Sequence, residues 1–324
     1  MPEGHSVHRI ARQFRANFCG VPLIATSPQG RFADGAALLS GQSMTDVFAI
    51  GKQMFAQFDR GEWLRVHLGI YGAWDFSGGL VVDSTIASAN GRMGQTNQRG
   101  TVLDTAGENS LTSIGAPRLA RMRMSEQSKL SIANDVFPPE PVGAVRLRLL
   151  TPSVCADLRG PTACEILTEA EVATVIDRLG PDPQHDASEA AEEKFVTALR
   201  KRIVPVGQLL MDQSVVAGIG NVYRAEMLFR AGIDPYRAGT TITRDEAQQL
   251  WRDWVMLLRI GIDTGQMMTM DDLTPDQWRA AMARRDERHW VYKREGLPCR
   301  VCGTNIALAE MQNRKLYWCP SCQT

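Results

Sequence analysis

The chain has 324 residues, 44% hydrophobic and 22% charged, which gives room for one large or two to three ordinary domains and makes a disordered chain untenable. Its 36 Lys and Arg balance 36 Asp and Glu, which argues against a protein that coats DNA through net charge alone. No apolar run approaches a bilayer span, and the first residues lack the apolar stretch of a signal peptide, so a cytoplasmic location is expected.

Residues 5–19 carry Val7, Ile10, Ala11, Phe14 and Phe18 at helical spacing, with Gly20 as the stop. Pro2 and Glu3 therefore stand just before an amphipathic helix, near the positive end of its dipole. From Val21 to Phe76 the pattern turns to short alternating runs broken by tight turns, which predicts a sandwich or barrel. Residues 77–116 lose periodicity and fill with Gly, Ser, Thr, Asn and Gln, predicting a long loop or insertion that extends to about residue 135. Strands are expected again at Val145–Leu150 and near Val154–Leu158, then a short helix over Glu169–Leu179 closed by Gly180-Pro-Asp-Pro. Helices follow at Glu189–Ile203, Val206–Gln213, Val222–Ala231 and Arg244–Gly261. The expected division is 1–180, 181–290 and 291–324, with the insertion at about 77–135 inside the first part.

Charge is unevenly spread. Nine acids and only Arg178 lie between Glu165 and Glu193, whereas nine bases face four acids from Arg279 onwards. Two solvated faces of opposite sign would explain this, and so would a basic terminal module that meets a phosphate backbone. Cys19, Cys155 and Cys164 read as small buried hydrophobes. The other four cysteines form Cys299-x2-Cys302, sixteen residues, then Cys319-x2-Cys322. That spacing suits one tetrahedral Zn²⁺ better than disulfides or a redox pair. The intervening residues read as a hairpin with Arg314 near its tip, either an ordinary exposed arginine or one held against a phosphate.

Gly218-Ile-Gly-Asn221 lies between two helices, with Asn221 suited to cap the second. It reads equally as a plain helical corner or as backbone N–H groups presented to a phosphate, Gly220 allowing close approach. Pro2 becomes the N-terminus once Met1 is trimmed. An α-amine titrates at about 7.7–8.0 against about 10.4 for lysine, so its larger neutral fraction suits it to attack a sugar C1′. Glu3 beside it is placed to act as general acid.

Taken together, these residues resemble the formamidopyrimidine-DNA glycosylase/endonuclease VIII family over nearly the whole chain. The matching stretches are Met1-Pro-Glu-Gly, Gly51-Lys52, His67-Leu-Gly-Ile-Tyr-Gly72 and Asp157-Leu-Arg-Gly-Pro161, then Met211-Asp-Gln with Gly218-Ile-Gly-Asn-Val-Tyr-Arg-Ala-Glu226, and the four-cysteine finger. The resemblance implies an α+β multidomain fold: an N-terminal helix plus β-sandwich, a helix–two-turn–helix domain and a C-terminal zinc-finger β-hairpin. It further implies Pro2 as Schiff-base nucleophile, Glu3 as proton donor, Lys52 at the phosphates and the lesion, and Asn221 with Arg314 gripping phosphates, Arg314 also assisting δ-elimination. Ile70 and Tyr71 look like wedges for the gap left by an extruded base, although core packing would explain them too. His67, Arg159 and Gly220 belong to the same implied DNA contacts. The likeness leans to the endonuclease VIII branch in its actinobacterial form, which acts mainly on oxidised pyrimidines; Gly69 stands where that branch has a polar wedge residue.

The expected protein is thus a bifunctional DNA glycosylase/AP lyase of base excision repair with one structural Zn²⁺, binding damaged single- or double-stranded DNA as a cytoplasmic, nucleoid-associated monomer. Two alternatives are the same chemistry on 8-oxoguanine or formamidopyrimidine lesions, and a non-catalytic zinc-finger DNA-binding protein.

Overall fold

Helix α1 spans Gly4–Phe18 and ends where Cys19 turns to extended backbone. Its Val7, Ile10, Ala11, Phe14 and Phe18 repeat every three to four residues and all lie buried. Phe14 packs edge-on against Trp74 with centroids 4.7 Å apart, and truncating so buried a ring costs about 3–5 kcal/mol. The computed structural model describes residues 2–81, 113–116, 136–284 and 287–324. They divide into two compact units, Met1–Asp177 with Ile262–Gly265, and Arg178–Gly261 with Gln266–Thr324.

In the first unit two antiparallel sheets share one core with α1. One contains β2 (Met44–Ile50), β3 (Gln53–Phe58), β4 (Trp63–His67) and β9 (Ala163–Leu167), in that order. The other is ordered β1-β7-β8-β5-β6, formed by Ile24–Thr26, Val145–Leu150, Val154–Arg159, Ala73–Gly78 and Ser113–Gly115 respectively. Met54, Ala56, Leu64 and Val66 of the first sheet and Trp74, Phe76, Leu147, Leu149 and Leu158 of the second belong to the same buried cluster as α1. Alternation along the strands directs these residues inward.

Two differences from the sequence expectations stand out. Part of the expected 77–135 loop is strand: β5 runs to Gly78, and β6 pairs with it through Asp75↔Ser113, Trp74↔Ile114 and Ala73↔Gly115. Three residues among Gly and Ser are too short a run for period-two alternation to register. Residues 82–112 and 117–135 of that expected loop lie outside the described residues. Helix α2 (Ala33–Leu39) interrupts the region expected to hold only strands, burying Ala36 and Leu39.

The second unit is helical up to its finger. It contains α4 (Glu189–Arg200), α5 (Val206–Leu209), α6 (Asn221–Arg230), most of α7 (Arg244–Thr264) and α8 (Pro275–Ala283); α3 (Glu169–Asp177) belongs to the first unit. Phe195 with Trp251 and Tyr223 with Trp254 make its aromatic centre, at 5.6 and 4.8 Å between centroids. The expected Val206–Gln213 helix is shorter in the structure, because the chain leaves α5 in turns that lead to Gly218. Helix α8 has a full capping box, Thr274 with Gln277, and Pro275 in its first turn. Among the described residues no helix is long and apolar enough to cross a membrane.

Candidate active site and nucleic-acid interface

Pro2 and Glu3 are both buried at the start of α1, where Glu3 occupies the N-cap position with extended backbone and its carbonyl accepts from Ser6 N at 3.0 Å. At the second residue of α1, His5 is wholly buried with its Nε2 3.2 Å from Ser6 Oγ. Burial first, then the positive charges of Arg9, the N-terminal amine and His8, push its pKa down from 6.5 to about 3. Its neutral form therefore contributes stability above pH 6.5 that is lost as the pH falls towards 3. Between pH 7.5 and 5.0 the loss amounts to about 2 kcal/mol. Urea unfolding at the two pH values checks this, and His5→Gln is expected to flatten the difference.

Lys52 lies in the two-residue turn between β2 and β3, closed by the Ile50↔Gln53 pair. Gln53 is also the register partner of His67 at the end of β4, so Lys52 and His67 share one end of the four-stranded sheet. Burial, the Lys52 charge and the Arg65 charge, in that order, lower the His67 pKa and favour its neutral ring. The chain then turns through Leu68–Gly72, where Ile70 and Tyr71 are 38% and 59% exposed. Neither is core, so the packing explanation of these two side chains falls.

Arg159 needs a correction. Its side chain is 3% exposed, ion-paired with Asp75 and with Asp157 at 3.3 Å, and it donates to the Val142 carbonyl at 3.0 Å. The guanidinium is thereby spent on holding the strands together rather than presented at the surface. The sequence around Asp157-Leu-Arg-Gly does not reveal this enclosure, because Asp75 arrives from a strand remote in the chain.

In the second unit Gln213 braces the turns before α6. Its amide nitrogen donates to the carbonyls of Met211 and Ile219 at 3.0 and 3.1 Å, and its oxygen accepts from Gly218 N at 3.0 Å. Gly218 has φ +97°, which a side chain would resist. Asn221 is not the N-cap; Gly220 is, and Asn221 is the first helical residue. The Asn221 side chain instead donates to the Lys315 carbonyl at 3.0 Å and accepts from Arg224. It is thereby fastened to the strand that begins with Arg314.

That strand, β11 (Arg314–Trp318), pairs with β10 (Ala307–Met311) across a tight turn in which Gln312 and Asn313 both have positive φ. Arg314 forms no ion pair among the described residues and is half-buried. Below the hairpin the sulfurs of Cys299 and Cys322 stand 3.9 Å apart and those of Cys302 and Cys319 3.4 Å apart, all four within 4.8 Å of one another. Tetrahedral zinc with sulfur at about 2.3 Å requires sulfurs roughly 3.8 Å apart. The four thiolates hold a structural zinc ion; with every ligand from the protein, it secures the fold and takes no part in chemistry.

Further contacts tie the finger to α6 and to the turn that follows it. Glu226, fully buried, accepts from the backbone N–H groups of Trp290, Val291 and Tyr292 at 2.7, 2.9 and 2.7 Å and from the Thr269 hydroxyl. Burial pushes its carboxyl up, against hydrogen bonds that favour the charge. Gln323 accepts from Cys319 N at 2.9 Å and donates to the Ile233 carbonyl at 3.0 Å. The sequence alone assigns no part to Gln213, Arg224 or Gln323, although Gln213 and Arg224 lie inside a matching stretch and Gln323 follows the last cysteine of the finger.

Comparison with known proteins gives this arrangement its relatives. Residues 1–122 match the formamidopyrimidine-DNA glycosylase N-terminal domain, 179–272 the H2TH domain of the same glycosylase, and 296–324 the zinc finger found in FPG and IleRS. Endonuclease 8 1 of Mycobacterium tuberculosis is 37% identical over the full length of both chains. The chain belongs to the formamidopyrimidine-DNA glycosylase/endonuclease VIII family. Formamidopyrimidine-DNA glycosylase of Thermus thermophilus is 36% identical over 146 residues, 45% of this chain and 54% of its own. Among solved structures, MutM from Thermus thermophilus covers 99% of this chain and 98% of its own with a TM-score of 0.64 at 23% identity. A Lactococcus lactis FPG variant, solved with Fapy-dG containing DNA, aligns over 100% of both chains with a TM-score of 0.68 at 19% identity. The fold is that of this family, α+β with a helix–two-turn–helix part and a cysteine-cluster hairpin. The enzyme is a DNA-binding glycosylase with AP lyase activity of base excision repair, and a purely non-catalytic zinc-finger protein no longer fits.

Proposed function

We propose that this glycosylase excises oxidised pyrimidines through a covalent Pro2 intermediate and nicks the strand by β,δ-elimination. The observation that carries the pyrimidine assignment is the full-length 37% identity to an endonuclease 8, joined to the exposed Ile70-Tyr71 pair. Once Met1 is removed, the Pro2 nitrogen attacks C1′ while Glu3 protonates the opening deoxyribose. The base departs with its bonding pair and takes up the proton that the attached Pro2 nitrogen releases; the lone pair so freed expels O4′, which Glu3 protonates, and the iminium forms. Loss of the C2′ proton then breaks the 3′ C–O bond, and a second elimination, assisted by Arg314, breaks the 5′ C–O bond. Lys52 and His67 face the phosphates and lesion from one sheet end, while Gly220, Asn221 and Arg314 grip flanking phosphates from the helix start and the hairpin. Ile70 and Tyr71 fill the space of the extruded nucleotide.

The proposed division into 1–180, 181–290 and 291–324 separates the amine, the phosphate-binding turn and the finger. The enzyme acts as a monomer, at the nucleoid, on single- or double-stranded lesions. The second reading, excision of 8-oxoguanine and formamidopyrimidines, draws on the 36% identity to a formamidopyrimidine-DNA glycosylase. Single-turnover excision from duplexes with thymine glycol or 8-oxoguanine separates the two. At least a tenfold preference for thymine glycol is expected, and the reverse preference would transfer the assignment to the second reading.

A further inference from the structure

Asp75 is a carboxylate only 8% exposed, inside a β-sheet, three residues past the Leu68–Gly72 turn. Its register partner on β8 is Asp157, another buried carboxylate. Like charges directly opposite one another destabilise a strand pair unless cations intervene. Two do. Arg148 donates twice to Asp157, at 2.7 and 2.8 Å, while Arg159 bridges Asp157 and Asp75. On the far side, the other Asp75 oxygen accepts from Ser113 Oγ at 2.7 Å. The polar row thus crosses β7, β8, β5 and β6 in their spatial order.

The two ends of the Asp75 tie matter because each leads to one flank of the exposed turn. Arg159 begins the segment Arg159–Thr162, whose Thr162 N donates to the His67 carbonyl at 2.8 Å. A Cβ on Gly69 would lie 1.8 Å from Thr162 Oγ1, so this segment presses directly against the turn. Ser113 begins β6, whose continuation Ala116 N donates to the Gly72 carbonyl at 2.9 Å. A Cβ on Gly115 would meet Ala73 Cα at 2.5 Å. The turn that carries Ile70 and Tyr71 is gripped from both sides, and Asp75 joins the two grips.

We propose that Asp75 is a positioning residue for base extrusion: through Arg159 and Ser113 it keeps the Ile70-Tyr71 turn rigid enough to displace a stacked nucleotide. This rests on the wedge role given to those two side chains above. A wedge that yields cannot offset the unstacking it causes, so the penalty falls on duplex substrates. Substrates with nothing to unstack are spared.

The test compares Asp75→Asn, Tyr71→Ala and the double variant with the unaltered enzyme. Readouts are single-turnover excision from a thymine-glycol duplex and borohydride trapping on a single-stranded abasic oligonucleotide. Asp75→Asn is expected to slow duplex excision at least tenfold while trapping stays within about twofold. The double variant should be no slower than Tyr71→Ala, because both act on one element. Should Asp75→Asn fail to fold, Ser113→Ala, which removes one hydrogen bond and keeps the ion pairs, is expected to show the same selectivity at roughly threefold. Equal losses on both substrates, or additive effects in the double variant, would overturn the inference and leave Asp75 a merely structural residue. Normal duplex excision by Asp75→Asn beside an impaired Tyr71→Ala would overturn it alone; a normal Tyr71→Ala would remove the wedge role and this inference with it.

Discussion

Glu3→Gln is expected to slow release of the damaged base by about 10²–10⁴-fold, the range lost when a positioned general acid is removed. The substitution is isosteric, and Glu3 makes no side-chain cap to α1, so the helix start keeps its geometry. An abasic site already exists partly as the ring-opened aldehyde and requires less acid assistance to react with the amine. Borohydride trapping on abasic DNA is therefore expected to fall less than tenfold. Single-turnover excision on a thymine-glycol duplex, run beside abasic trapping, checks both halves. A parallel collapse of the two activities would show that Glu3 acts on amine reactivity in general rather than on opening of the sugar. The complete burial of Glu3 matters here, since a carboxylic acid shielded from water is worth more to the transition state than an exposed one.

Zinc removal has the second large effect. The finger has little core of its own: Cys299, Ile306, Tyr317 and Cys319 are buried in one cluster with Ala225, Phe229 and Val291. Without the metal, nothing holds the four sulfurs to one point, and Ile306 and Tyr317 lose the frame that seats them on α6. Arg314 and the Lys315 carbonyl that fastens Asn221 go with them. Losing even one charged hydrogen bond to phosphate costs about 1.5–3 kcal/mol, or roughly 10- to 100-fold in affinity. Cys319→Ser, or stripping with a strong chelator, should weaken binding to abasic DNA by at least that factor. The thermal transition of the first unit should persist. Unchanged affinity in a protein shown by elemental analysis to lack zinc would refute this.

Local chemistry explains what the sequence made legible. The four-cysteine spacing needs no tertiary knowledge, because two CxxC knuckles define one metal site by themselves, and α1 announces its buried face through Val7, Ile10, Phe14 and Phe18. The capping box of Thr274 and Gln277 is equally local. Remote partners explain the failures. Arg159 looks like a DNA contact until Asp75, 84 residues away, neutralises it. Asn221 satisfies every local rule for a cap, but Gly220 takes that role once the Asn221 side chain is committed to Lys315, 94 residues on. Short segments such as Ser113–Gly115 have no period to detect and become strands only because β5 offers them an edge.

The chemistry proposed for this enzyme depends on which amine reacts. Borohydride-trapped enzyme on an abasic oligonucleotide, digested and sequenced by tandem mass spectrometry, identifies that atom directly. The predicted adduct lies on the nitrogen of Pro2 in a peptide that begins there, Met1 having been removed. An adduct on Lys52 or another lysine, with Pro2 unmodified, would contradict the central claim.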